Sequence, residues 1–255
     1  MKRYVQALTV LIGIIGYLGC TRDTTRMSWK LIDSGTDAHL YGVHFADAKH
    51  GWAVGASGVV LSTKDGGLKW AVQSPQNAIT TKALNKVYFP TQTYGWTVSI
   101  MGQIYYTGSG GKSWTRQDSS TQKGLLDLYF VSPTEGWAVG GSGTILHTDS
   151  GGGRWEIQQG PSVNHLWAVH FVDAQNGWAA GEEGKIVRTQ DGGKRWLEQS
   201  STTDQPLLGI YFTDLQNGWV VGVNGLILHT TDGGANWKQQ TSGINKTLRG
   251  VAFFN

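Results

Sequence analysis

Eleven of the twelve tryptophans in this 255-residue chain lie in one register. Trp29, Trp70, Trp114, Trp155, Trp196 and Trp237 are 41, 44, 41, 41 and 41 residues apart. A second series, Trp52, Trp96, Trp137, Trp178 and Trp219, is spaced 44, 41, 41 and 41, and only Trp167 stands outside both. A fixed period of this length is the mark of one supersecondary unit repeated along the chain, each copy burying its apolar face against its neighbours. With 37 glycines and 15% charged residues, the composition suits short strands, tight turns and aromatic filling between sheets.

Each repeat reads as four strands. The first follows Leu-x-x-apolar-x-Phe, from Leu40 to Phe45, Leu84 to Phe89, Leu125 to Phe130, Leu166 to Phe171 and Leu207 to Phe212, with a sixth copy from Leu248 to Phe253. The second opens with Gly-Trp, as in Gly51-Trp52-Ala53-Val54-Gly55; the third is Gly-x-apolar-apolar-x-Thr, as in Gly143 to Thr148; the fourth starts at a tryptophan of the first series. Glycine-rich turns separate these β-favouring runs, and no helical period is visible. Four strands in such a repeat make a propeller blade, so the expected fold is an all-β propeller over residues 29–255. The longer spacing after Trp70 falls in a fourth-to-first strand connection, where a loop absorbs it.

Counting by strand gives five complete repeats, an unpaired fourth strand from Trp29 and an unpaired first strand ending at Phe253. The expectation is a ring truncated at the C-terminus, the two spare strands being the outer and inner strands of one blade. Completing six blades would take on the order of 20 further residues, and seven on the order of 60. A natural five-bladed ring with spare end strands is the alternative.

The turn between third and fourth strands carries the sharpest motif. Thr63-Lys64-Asp65-Gly66-Gly67-Leu68-Lys69-Trp70 recurs at Thr189 to Trp196 with Asp191, and at Thr230 to Trp237 with Asp232. In two copies Ser109 and Ser150 replace the aspartate, ahead of Trp114 and Trp155. A short carboxylate can accept hydrogen bonds from turn N–H groups, glycine supplies the positive φ, and the aromatic packs over the hairpin. These turns resemble Asp boxes (BNR repeats), which occur in sialidases, other glycosidases and sortilin-type receptors, and so indicate a fold rather than an activity. Together with Gly-Trp-Ala-Val-Gly and Gly-x-Ile-Leu-x-Thr, they resemble the photosystem II stability/assembly factor-like family across residues 29–255. That resemblance implies a seven-bladed propeller acting as a non-enzymatic scaffold in membrane-protein assembly.

At the N-terminus Lys2 and Arg3 precede an apolar run from Val5 to Leu18, too short for an ordinary membrane span. Tyr17-Leu18-Gly19-Cys20 resembles a bacterial lipoprotein signal, although Tyr17 stands where such signals usually carry Leu. The resemblance implies removal of residues 1–19, lipidation of Cys20, and a tether over residues 20–28. Such a protein is exported and faces the periplasm or exterior, or the thylakoid lumen in a photosynthetic host. An ordinary secretory peptide with an incidental cysteine is the alternative. Cys20 is the only cysteine, so no disulfide can form within the chain. Thr21 to Ser28 can reach roughly 28 Å when extended, keeping the propeller near the bilayer.

Loss of Lys2 and Arg3 would take the formal charge from +3 to +1, which gives no reason to expect nucleic acid. Gly111-Lys112-Ser113 lacks the preceding glycine of a phosphate loop, with Tyr106 in its place. The histidines show no metal-ligand spacing, and neither a metal, a cofactor nor a small-molecule ligand is expected. No catalytic residues are assigned. The adjacent acids Glu182 and Glu183 occupy a second-to-third strand turn and read as solvated. Lys86 and Asp127 share one slot in adjacent blades and can pair. His44 and His170 alternate with Tyr88, Tyr129 and Tyr211 in another slot, read as polar packing.

One face stands out. All third-to-fourth strand turns emerge on the same side of a propeller, and Lys69, Lys112, Arg154, Lys194 and Arg195 sit in them. Two roles fit these cations, partner binding and solubility. The reading is a lipid-anchored propeller that binds a membrane protein or assembly intermediate; the alternative is an Asp-box glycosidase, sialidase-like, or a glycan-binding protein.

Overall fold

The computed structural model describes residues 30–73, 80–161 and 164–253. The signal segment 1–19, Cys20, the tether and Trp29 therefore lie outside the described residues. Blade 1 comprises β1 (Leu40–Phe45), β2 (Gly51–Gly55), β3 (Val60–Thr63) and β4 (Ala71–Val72). Blade 2 comprises β5 (Leu84–Tyr88), β6 (Gly95–Ser99), β7 (Ile104–Thr107) and β8 (Thr115–Gln117). Blade 3 comprises β9 (Leu125–Phe130), β10 (Gly136–Gly140), β11 (Ile145–Thr148) and β12 (Glu156–Gln158). Blade 4 comprises β13 (Leu166–Phe171), β14 (Gly177–Gly181), β15 (Ile186–Thr189) and β16 (Leu197–Gln199). Blade 5 comprises β17 (Leu207–Phe212), β18 (Gly218–Gly222), β19 (Ile227–Thr230) and β20 (Lys238–Gln240). Each blade is an antiparallel meander whose strands pair in sequence order. The fold is an all-β propeller.

The core lies between blades. The Gly-Trp strand of one blade sends its indole across to the first-strand phenylalanine of the next. Trp52 on Phe89, Trp96 on Phe130, Trp137 on Phe171 and Trp178 on Phe212 stack at 3.6–3.9 Å, with interplanar angles of 5–17°. The other side of each phenyl ring meets an Asp-box tryptophan edge-on, as Trp155 meets Phe130 at 5.9 Å and 90°. Aromatic pairs of this geometry add about 0.5–1.5 kcal/mol beyond the area they bury. The layer also explains the glycine of Gly-Trp. A Cβ on Gly95 would lie 2.4 Å from the Phe89 ring, and Gly136, Gly177 and Gly218 face their own phenylalanines as closely. Without the glycine, the phenyl ring could not sit between the two indoles.

The inner strands pack in succession, β1 on β5, β5 on β9, β9 on β13 and β13 on β17, and β1 and β17 do not form such a pair. Two strands expected from the sequence are not formed. Residues 30–39 contain no strand, and neither do residues 248–253. A strand needs a ladder partner, and among the described residues neither segment pairs with a neighbouring strand. Residues 248–253 nevertheless pack on blade 5. Leu248 is buried, its N–H donates to the Gly222 carbonyl at 2.9 Å, and Val251 and Phe253 join the cluster of Trp219, Val221 and Ile227.

The Asp-box face as a candidate docking surface

In blade 4, the Asp191 Oδ1 accepts hydrogen bonds from the Arg195 N–H and the Thr189 hydroxyl, each at 2.9 Å. The Thr189 Oγ1 in turn accepts from the Gly193 N–H at 2.8 Å. Asp65 and Asp232 hold their turns in the same way, through Lys69 and Asn236. The serine copies are chemically equivalent at this point: the Ser109 Oγ accepts from the Ser113 N–H, and the Ser150 Oγ from the Arg154 N–H, both at 3.1 Å. One oxygen acceptor suffices to close the turn. Gly66 and Gly67, at φ +73° and +87°, adopt the left-handed conformation that the turn requires. The N–H groups feeding these carboxylates lower their pKa values. Asp65 and Asp191 are held down chiefly by the Lys69 and Arg195 N–H groups, and Asp232 falls to about 2 through the Asn236 side chain and N–H.

Every Asp-box turn is also tied to the first-to-second strand turn of its blade, as in Gly151 N–H to Thr134 O at 2.7 Å and Gly233 N–H to Gln216 O at 2.8 Å. The two sets of turns therefore form one face. Lys69, Lys112, Arg154, Lys194 and Arg195 all stand exposed on it. Arg154 pairs with Glu156 at 3.1 Å, and it is the only one of the five in an ion pair among the described residues. The face has no net positive charge, because Asp47, Glu135, Asp149, Asp173 and Asp214 share it with the three Asp-box aspartates. Most of those carboxylates accept hydrogen bonds from the N–H groups of their own turns. Asp47, for example, accepts from the Lys49 and His50 N–H groups, which push its pKa down. The cations point outward. Two cavities open where neighbouring blades meet. One, of about 510 Å³, is lined by Arg188, Asp191, Arg195 and Glu198; the other, of about 430 Å³, by His50, Lys64, Gln92 and Lys112.

The Asp-box tryptophans do more than cover their own hairpins. The Trp155 Nε1 donates to Gln117 Oε1 of the preceding blade at 3.1 Å, and the Gln117 Nε2 donates to Gly151 O at 2.9 Å. Gln158 makes the same two bonds with Trp196 and Gly192. Those glycine carbonyls also accept from the stacked indoles, Trp96 to Gly151 at 3.2 Å and Trp137 to Gly192 at 3.3 Å. This glutamine clamp escaped the sequence reading. Gln73, Gln117, Gln158, Gln199 and Gln240 share the register of the tryptophans, and that periodicity was the available signal.

Elsewhere the polar groups are engaged in the fold. The Lys86 Nζ lies 3.0 Å from the buried Asp127 carboxylate, which also accepts the Leu128 and Val169 N–H groups. His44, Tyr88, Tyr129, His170 and Tyr211 form a ladder of ring contacts at 4.1–4.9 Å across all five blades. Burial, and secondarily Lys86, holds both histidines down to about pKa 3. Glu182 is engaged by the His165 ring at 3.0 Å, and Glu183 occupies the left-handed position of its turn at φ 52°. Among the described residues, no group of three potential metal ligands comes together, and no helix is long and apolar enough to cross a membrane.

The profile of the family described as photosynthesis system II assembly factor YCF48 matches residues 21–123, 74–167, 112–198 and 154–251. The chain belongs to this family. The overlapping matches follow the repeat, and together they span all five blades of this YCF48-family propeller. A photosystem II assembly lipoprotein Ycf48 of Synechococcus sp. (strain CC9902) is 41% identical over 70 residues, which are 26% of this chain and 21% of that protein. The chain thus covers about a fifth of that relative's length. YCF48 from Cyanidioschyzon merolae matches in structure with a TM-score of 0.50 at 18% identity, over 85% of this chain and 89% of that one. A GH74 enzyme of Niastella koreensis aligns with a TM-score of 0.67 at 14% identity, over 80% of this chain and 38% of the enzyme. At such identities these likenesses concern the fold.

Proposed function

We propose that the chain is a lipid-anchored, non-enzymatic propeller whose Asp-box face binds a membrane protein or an assembly intermediate, and that Lys69, Lys112, Arg154, Lys194 and Arg195 carry that contact. One observation supports this most. The carboxylates of the boxes are spent on their own turns, whereas the cations beside them are exposed and only Arg154 is ion-paired among the described residues, with Lys112 and Arg195 bordering the two cavities. With no net positive charge on the face, recognition acts at short range through these placed cations. Membership in the YCF48 family and the lipoprotein name of the Synechococcus relative support the same reading. Lipidation falls on Cys20, and its multiple acyl chains hold the protein at the bilayer where a single one would be marginal. The engagement of Glu182 by the His165 ring weighs against the glycosidase alternative.

The test is a pull-down from detergent-solubilised membranes, comparing the wild type with Lys112, Arg154, Lys194 and Arg195 all reversed to Glu. Partner recovery should fall while the thermal transition moves little, since isolated surface charges add little stability. Equal recovery at low salt, where charge effects are largest, would assign these residues to solubility alone. A Cys20→Ser chain that still fractionates with membranes would overturn the anchor.

A further inference from the structure

We propose that the apex of blade 2, Ile100-Met101, rests in the headgroup layer of an anionic lipid surface, with Lys82 and Lys123 beside it on the phosphates. This contact rests on the Cys20 anchor put forward above. It lies on the face opposite the Asp-box turns, because in a meander the second-to-third strand turns leave from the other end of the blade.

Blade 2 builds this turn differently from the other four. Blades 1, 3, 4 and 5 end the second strand in Gly55, Gly140, Gly181 and Gly222. Each then makes a tight turn whose middle residue is left-handed: Ser57, Ser142, Glu183 and Asn224, at φ 52–56°. A left-handed position is strained for a large side chain. In blade 2 Ser99 replaces the glycine, and its Oγ accepts the Met101 and Gln103 N–H groups, each at 3.2 Å. The Gly102 N–H closes the turn on Ser99 O at 3.1 Å, and the positive φ, +74°, passes to Gly102. The apex is then free to carry large residues. Ile100 is 52% and Met101 54% exposed, where the other blades have Ala56-Ser57, Gly141-Ser142, Glu182-Glu183 and Val223-Asn224. Single exposed apolar residues are ordinary, whereas an adjacent pair at the outermost point of a held turn offers itself to an apolar medium.

The flanks of the apex are basic. The connections entering and leaving blade 2 pack against the turn. The Ile100 N–H donates to Ala83 O at 3.4 Å, and a Cβ on Gly102 would lie 2.7 Å from the Lys123 carbonyl. Lys82 and Lys123 are thus carried to either side of it, both exposed and neither in an ion pair among the described residues. Asp118 is the only carboxylate in the two connections, residues 73–83 and 118–124, and its Oδ1 accepts the Ser120 N–H at 2.9 Å. An apolar tip between lysines suits a lipid interface, with the tip at the acyl boundary and the ammonium groups on anionic headgroups. Blade 4 carries Glu182-Glu183 at the same place, the wrong charge for such a surface, so the contact belongs to blade 2 and not to the whole face. Tethered within roughly 28 Å of the bilayer, the tip meets it at high effective concentration, and a weak contact suffices to set orientation. The Asp-box turns then face away from the lipid, and their cations meet a part of the partner that stands clear of the bilayer.

The test uses the full chain carrying Met101→Cys, labelled with nitrobenzoxadiazole and reconstituted in vesicles of phosphatidylcholine with about one third phosphatidylglycerol. Quenching by a nitroxide near the top of the lipid acyl chains reads the depth of the label. Leu68→Cys, exposed in the blade 1 Asp box, is the control. Cys20, alkylated in the anchored chain, takes no thiol probe, and wild type labelled in parallel reads any background. Flotation with the vesicles reads the anchor, and quenching in the floated fraction reads the apex. The label at position 101 should be quenched and the label at 68 should not. Ile100→Ser, and Lys82→Glu together with Lys123→Glu, should each lower the inserted-to-free ratio about tenfold. Flotation and circular dichroism should stay those of the wild type, since these positions are exposed and the anchor remains. A floated chain with no quenching at 101, equal quenching at 68, or a ratio indifferent to both sets of substitutions would overturn this contact and leave the Cys20 anchor standing. Loss of flotation would overturn both.

Discussion

Replacing Gln158 with Leu isolates the clamp between blades 3 and 4. Leucine keeps much of the side-chain volume and removes two hydrogen bonds, Gln158 Nε2 to Gly192 O at 2.9 Å and Trp196 Nε1 to Gln158 Oε1 at 3.2 Å. Each is worth about 1 kcal/mol net, and orphaning a buried donor costs about 1–3 kcal/mol. Gly192 O keeps the Trp137 indole as a donor, but Trp196, only 4% exposed, is left with none. The expected loss is about 2–4 kcal/mol. Gln240→Leu is the internal control, occupying the same repeat position while exposed and unpartnered, and should change stability by less than about 0.5 kcal/mol. Urea unfolding followed by tryptophan fluorescence and far-UV circular dichroism reads both. A double-mutant cycle with Trp196→Phe, which removes the donor, should return a coupling of about 1 kcal/mol. Equal shifts at Gln158 and Gln240, or zero coupling with Trp196, would refute the argument that the clamp joins the blades.

Two further outcomes follow from the site chemistry. Glu183→Gly should stabilise the protein by about 1 kcal/mol in the same unfolding assay, because it relieves a left-handed non-glycine residue at φ 52°; a destabilised variant would contradict this. His44 and His170, held near pKa 3, stay neutral in the fold while the unfolded chain takes up protons from about pH 6.5, so stability is full above that pH and is lost as pH falls towards 3. Replacing both by Tyr, the residue of the same slot in blades 2, 3 and 5, should flatten the fall between about pH 6.5 and 4.5, and an unchanged profile would count against these histidines.

Much of the fold is visible in the chain because its determinants are local or periodic. The Gly-Trp strands, the Asp-box turns and the Leu-x-x-apolar-x-Phe strands fall where their residues place them, and the shared slot of Lys86 and Asp127 does correspond to a contact. What the sequence hides is which neighbour each repeat residue meets. Nothing local marks Gln117 and Gln158, yet they reach into the next blade, because a propeller brings a fourth strand against the following turn. The terminal segments mislead for the opposite reason. Residues 248–253 have the composition of a first strand, but composition supplies no ladder partner.

The Asp-box turn separates structure from recognition within eight residues. Its threonine hydroxyl, its Asp or Ser acceptor and its two glycines are consumed in closing the turn, and in blades 3 and 4 its tryptophan joins the preceding blade. Two positions remain between the second glycine and the tryptophan: Leu68-Lys69, Lys112-Ser113, Gly153-Arg154, Lys194-Arg195 and Ala235-Asn236. The second of each pair contributes its N–H to the box acceptor, and only Ser113 and Asn236 add a side-chain bond to it. Leu68, Lys69, Lys112, Arg154, Lys194, Arg195 and Ala235 can therefore vary at little cost to the fold. A scaffold with this division can change partners by changing those pairs alone. The likeness to a GH74 enzyme concerns the blades, and on the function proposed above the partner contact falls to Lys69, Lys112, Arg154, Lys194 and Arg195.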